Sequence, residues 1–186
     1  MTVVLVIAGA VLVLDQIAKQ VALEGLVPGV PVRLVEGLLN LTLVMNPGLA
    51  FGMLGTVPPG WRWVVALLSV AALVVLARLA TRVVPVGGLV GRLSLGLIFG
   101  GAVGNLIDRA VWGAVIDFVD VHWKGYHWPA FNVADSAISV GVVLLALHLM
   151  RRERSSEGAS TAPSDASPRT GLRRQSRRSN AGDSNG

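Results

Sequence analysis

Four long apolar segments, at about residues 3–23, 61–80, 93–109 and 133–150, limit what this chain can fold into more than any other feature. A helix needs about 20 residues to cross the hydrocarbon of a bilayer. Each segment is near that length, the third being short and rich in glycine. The chain has 186 residues, 53% of them hydrophobic and 15% charged. Its mean hydropathy of +0.64 is too apolar for an ordinary soluble domain. The expected fold is a mainly α membrane protein with four transmembrane helices over residues 1–154. The first segment lacks a basic leading region and a small-residue cleavage site, so it reads as a span and not as a signal peptide.

Between the first two spans, residues of about 28–58 hold Pro28, Pro31, Pro47 and Pro58 with scattered glycine. Val32-Arg33-Leu34-Val35 and Leu39-Asn40-Leu41-Thr42-Leu43-Val44 read as short strands, giving a small extracytoplasmic β-rich subdomain. Asp120 to Trp128, with Trp123, Tyr126 and Trp128, reads as an interfacial segment, because Trp and Tyr favour the headgroup layer.

The net charge of +5 is unevenly placed. Residues 151–186 carry eight Arg against Glu153, Glu157, Asp165 and Asp183. A basic tail beside a span suits anionic membrane lipid better than nucleic acid. From residue 155 onward the Ser, Arg, Gly and Pro content cannot build a core, so 155–186 is expected to be a disordered basic tail. Arg78, Arg82, Arg92, Arg151, Arg152 and Arg154 outweigh Arg33, Arg62, Arg109 and Lys124 on the other side. The basic side faces inward, so both termini are expected in the cytoplasm.

The chain has no Cys, which excludes disulfides and thiolate chemistry. His122, His127 and His148 show no His-x-x-x-His spacing, so neither a metal nor another cofactor is expected.

That topology gathers polar residues at the outer side. Asp15 and Lys19 end the first span, and Asn46 follows in the first outer loop. Asn105, Asp108 and Arg109 end the third span, Asp117 lies in the second outer loop, and Asn132 and Asp135 begin the fourth. Ionisable groups at membrane depth are costly and mark candidate functional sites. Each also has a plainer reading. Asp15 and Lys19, four apart on one helix face, can neutralise each other. Asn46-Pro47-Gly48 suits a tight turn. Gly96, Gly100 and Gly104 let another helix approach closely. Asp108 and Arg109 read as an ion-pairing brace for the loops. Asn132, Asp135, Ser136 and Ser139 form one stripe, which can be helix glue, and a first-turn Asp suits the helix dipole. Asp120, beside the aromatic stretch, is a further candidate or simply solvated. Two carboxyls able to meet at a membrane surface, Asp117 and Asp135, suggest an aspartic peptidase. A proton-coupled transporter would spread its polar groups through the bilayer. A presenilin-like peptidase would carry Gly-x-Gly-Asp, which is absent. An assembly protein held by the small-residue face gives no reason for the two Asp.

Together the motifs resemble the lipoprotein signal peptidases (signal peptidase II), integral-membrane aspartic peptidases. The matching pieces are Asp15-Gln16-x-x-Lys19, Asn46-x-Gly48-x-Ala50-Phe51, Gly101-Ala102-x-Gly104-Asn105-x-x-Asp108-Arg109, Val115-x-Asp117-Phe118 and Phe131-Asn132-x-Ala134-Asp135. They follow the family's order, and Ala18 stands where Ser or Thr is common. The resemblance implies that Asp117 and Asp135 are catalytic. It implies that Asp15, Asn46, Gly48, Asn105, Asp108, Arg109 and Asn132 bind substrate or support the pair. The implied substrate is a diacylglyceryl-modified prolipoprotein, cut before its lipidated Cys, with globomycin as inhibitor. A monomer in the bacterial inner membrane is expected.

Overall fold

The computed structural model describes residues 1–48, 62–83 and 87–160. Ala50, Phe51 and Pro58 of the sequence motifs, and the tail from 161, lie outside the described residues. The elements run α1 (Thr2–Gly25), β1 (Val32–Val35), β2 (Leu39–Asn46), α2 (Arg62–Val83), α3 (Gly88–Trp112), β3 (Val115–Trp123), β4 (Tyr126–His127) and α4 (Val133–Ser160). Four helices are long and apolar enough to cross a membrane, and half of the α3 span is buried in protein, against 22% or less in the others. The chain is therefore a multi-pass membrane protein built around α3.

Glycine explains why α3 is central. A Cβ on Gly96 would lie 2.7 Å from the Ile7 Cβ, and one on Gly100 would lie 2.6 Å from the Ala8 carbonyl oxygen. Residue numbers rise together along this contact, so α1 and α3 run parallel. On the opposite face, Gly101 meets the Ala134 carbonyl, and a Cβ on Gly141 would lie 2.7 Å from Ile98. Here the numbers run oppositely, so α4 is antiparallel. Small residues allow this approach where apolar side chains gain little by leaving lipid for protein. The apolar cluster of Val4, Ala80, Leu95, Ile98 and Leu145 fills the other end of the bundle.

The four strands form one antiparallel sheet in the order β1-β2-β3-β4. The segment expected to carry Asp117 as a loop is strand β3, and the aromatic stretch turns back as the β3–β4 hairpin. The signal is visible in Val115-Ile116-Asp117-Phe118-Val119-Asp120-Val121-His122-Trp123, a β-branched and aromatic run bounded by Gly113 and Lys124-Gly125. Gly113 (φ 69°) ends α3 in the left-handed conformation, its N–H bonding the Arg109 carbonyl, so the chain passes directly from helix to strand. Trp112, Trp123, Tyr126 and Trp128 are all exposed, as interfacial aromatics are.

Helix α4 outlasts the expected 154 boundary. It runs to Ser160, so the first six residues assigned to the tail are helical. Extending a formed helix by one residue is far easier than starting one, and Arg and Glu are good helix formers.

Candidate active site

Parallel α1 and α3 put Asp15, Lys19, Asn105 and Asp108 at one level. There Lys19 is buried, with Nζ 2.7 Å from Asp15 and 2.6 Å from Asp108. It also donates to Asn105 Oδ1 at 2.9 Å. Gly104 makes the space, since a Cβ there would lie 2.5 Å from an Asp15 oxygen. Backbone N–H groups reach both carboxylates, at the second oxygen of Asp15 and at the Lys19-paired oxygen of Asp108. Asp15 accepts from Ala134 N at 2.9 Å and Asp108 from Ile116 N at 3.2 Å. Gln16 donates to Asp108 at 3.1 Å. This ion cluster ties α1, α3, β3 and the start of α4 together. Asp108 was read with Arg109 as an ion-pairing brace for the loops; its ion pair is with Lys19 of α1.

Asn132 caps α4. Its Oδ1 accepts the Asp135 N–H at 2.8 Å, and its carbonyl accepts the Ser136 N–H at 3.2 Å. Its Nδ2 donates to Asp117 Oδ1 at 2.8 Å and to Asn105 Oδ1 at 3.2 Å. Asn105 Nδ2 in turn donates to Asp135 Oδ1 at 2.8 Å. Two amides thus join the carboxyls of Asp117 and Asp135. Asn46 Nδ2 holds the other oxygen of Asp117 at 3.0 Å. The approach depends on a bulge in β2, where the register against β3 shifts between Leu41 and Val44. One extra residue turns the following side chains to the other face.

The first outer segment closes the ring. Gly48 N–H bonds the Asn46 side chain at 3.0 Å, and Arg109 donates to the Gly48 carbonyl at 3.0 Å and to the Asn105 carbonyl at 3.2 Å. All nine candidate residues therefore belong to one hydrogen-bonded network. Lys19 and Gln16 were not singled out as site residues, although both stand in the first motif. That both meet Asp108 becomes legible only once α1 and α3 are known to be parallel.

Asp117 and Asp135 differ from Asp15 and Asp108 in lacking a direct cation among the described residues. Burial first, then nearby Asp135, pushes the Asp117 carboxyl up to about 7 against the opposing bonds from Asn46 and Asn132. Each carboxyl also opens to space. Asp135 lines a cavity of about 260 Å³ with Asn105, Arg109, Leu68 and Ala72. Asp117 lines one of about 230 Å³ with Asn46, Val44, Pro129 and Ala130.

The profile of the signal peptidase (SPase) II family matches residues 7–151. The chain belongs to the lipoprotein signal peptidase family of aspartic peptidases. A lipoprotein signal peptidase of Burkholderia thailandensis is 44% identical over 144 residues, covering 77% of this chain and 85% of the relative. One of Polynucleobacter necessarius is 42% identical over 142 residues, covering 76% and 85%. A bacterial membrane enzyme solved in meso at 2.3 Å superposes with a TM-score of 0.67 at 27% identity, over 90% of this chain and 96% of that one. Another, at 1.9 Å, gives 0.64 at 29% identity, over 80% and 93%. The family-level activity is removal of signal peptides from lipoproteins. The family match over residues 7–151 takes in the whole network.

Proposed function

We propose that Asp117 and Asp135 are the catalytic pair, and that they cut a diacylglyceryl-modified prolipoprotein just before its lipidated Cys. The observation that carries this reading is the amide bridge. Asn132 and Asn105 link the two carboxyls, and each carboxyl lines a cavity. Buried like charges cannot both ionise readily, so the pair shares a proton and titrates as a unit.

In the reaction the ionised carboxyl takes a proton from water as its oxygen attacks the scissile carbonyl carbon. The protonated partner donates to the carbonyl oxygen. The tetrahedral diol then collapses, the C–N bond breaks, and the leaving nitrogen takes a proton from the pair. Asn46, Gly48 and Arg109 line the rim, where they orient the substrate backbone. Asp15, Lys19 and Asp108 hold the frame. The cavity between α2, α3 and α4 is walled by Leu68, Ala72, Ala102 and Ile138, apolar surroundings suited to the hydrophobic part of a signal peptide. The aromatic belt and the Arg bias support a site at the extracytoplasmic face of the bacterial inner membrane, with both termini inside.

The test is incubation of the purified protein with a lipidated prolipoprotein, followed on a gel, with and without globomycin. Processing blocked by globomycin is expected. Processing of unlipidated precursor at an equal rate overturns the substrate assignment.

A further inference from the structure

A second cluster of chemistry-bearing side chains lies outside the network above, on the extracytoplasmic hairpin. Asp120 and His122 are two apart on β3, so they share a face of the sheet. His127 on β4 is the register partner of His122. The rings lie 5.0 Å apart and nearly parallel. The turn fixes this pairing. Lys124 (φ 48°) and Gly125 (φ 83°) both adopt positive φ, as a two-residue hairpin turn of the primed type requires. Backbone bonds anchor both sides, from His122 N to the Leu38 carbonyl and from Trp128 N to the Val121 carbonyl, each at 2.8 Å.

We propose that Asp120, His122 and His127 form a binding site for a divalent transition-metal ion of the zinc class. One donor atom from each residue lies within 4.8 Å of the others. Tetrahedral zinc with bonds of about 2.0–2.2 Å brings its donors to roughly 3.3–3.5 Å from one another. The remaining distance is within reach of side-chain rotation, because the His127 side chain is 56% exposed. Two imidazoles and a carboxylate suit zinc, cobalt and nickel, leaving further positions for water.

Two independent features point to an ion. Nδ1 of His122 is buried and has no hydrogen-bond partner, a donor atom with nothing to bind. Asp120 is already oriented as a ligand. Asn40 of the neighbouring strand holds its Oδ2 at 3.3 Å, while Oδ1 faces His127 Nδ1 at 2.8 Å. An outer amide that fixes a carboxylate in this way is a usual partner of a metal ligand. Bound there, the ion links β3 to β4 and, through Asn40, to β2, the two strands that present Asp117 and Asn46. The site is independent of the peptidase reading. The spacing in sequence hides it, since Asp-x-His followed five residues later by His becomes a cluster only when the hairpin closes.

The experiment uses full-length, tag-free protein in detergent, stripped with chelator and titrated with Zn²⁺ by calorimetry and with Co²⁺ by visible absorption. One equivalent is expected, with d–d bands of a low-coordinate Co²⁺ site and a higher thermal midpoint. His127→Ala and the double variant His122→Ala/His127→Ala should weaken binding more than about 100-fold, and Asn40→Ala about 10-fold. Prolipoprotein processing by His127→Ala confirms that the variant is folded. Zinc binding by the double variant as tight as wild type, loss of binding only in His148→Ala, or no binding by the wild type overturns the site.

Discussion

Two pairs of carboxyls, Asp15 with Asp108 and Asp117 with Asp135, all buried save the half-buried Asp135, have opposite surroundings. Asp15 and Asp108 share the Lys19 ammonium and fill their remaining oxygens with backbone and Gln16 N–H groups. Asp117 and Asp135 are held by the side-chain amides of Asn46, Asn132 and Asn105. An ammonium sets a full positive charge against a carboxylate. An amide orients a carboxyl with a dipole alone. On the proposed mechanism the difference separates a frame from the reactive pair, although all four residues are Asp.

The largest expected effect breaks the reactive pair. Asp117→Asn and Asp135→Asn should each lower processing of lipidated prolipoprotein by about 10²–10⁴-fold, because an amide can neither take nor give the proton. Both variants should purify as folded membrane proteins. Near wild-type processing by either would erase the distinction between the two pairs.

Lys19→Met attacks the frame. It leaves two buried carboxyls without their cation, a loss of about 3–5 kcal/mol. The measurement is the unfolding midpoint in detergent, and a midpoint equal to wild type would show that the ion cluster is not what holds α1 to α3.

The pH dependence sharpens the comparison. The Asp117 carboxyl is pushed from an ordinary 3.8 up to about 7 by burial, with Asp135 adding to it. Here the folded state binds a proton that the unfolded chain has released. The sign is therefore that stability declines as pH rises from about 4 through about 7, and Asp117→Asn should remove that decline. Processing should fall above about pH 7 as the shared proton is lost. Asn46→Ala removes a bond that favours the carboxylate, so its alkaline limb should move to higher pH with weaker substrate binding. An unmoved limb would take Asn46 off Asp117 in the working enzyme.

The smallest effect belongs to the tail. Deleting residues 161–186 keeps α4 whole and should leave processing unchanged within assay error, since the Ser, Arg and Gly composition cannot form a core. A loss of activity in the inserted, truncated protein would assign the tail a role in the reaction.

What the sequence alone determined was set by local chemistry. Segment length and hydropathy gave the four spans, because lipid leaves the backbone no other partner than its own helix. The β-branched runs gave β1 and β2. Polar residues at one end of the first, third and fourth spans pointed to a single site, and five short motifs gave the family. Other features depended on packing between segments distant in the chain. Strand β3 was written in Val115 to Trp123, yet its place beside β2, bulge included, was decided by pairing. Lys19 reads in sequence as the i+4 partner of Asp15. Only the parallel contact of α1 with α3, opened by Gly96, Gly100 and Gly104, gives it Asp108 as well. The same contact leaves Asp117 and Asp135 to the amides. Sequence names which residues can ionise, but packing across the interface decides which neighbours each of them meets.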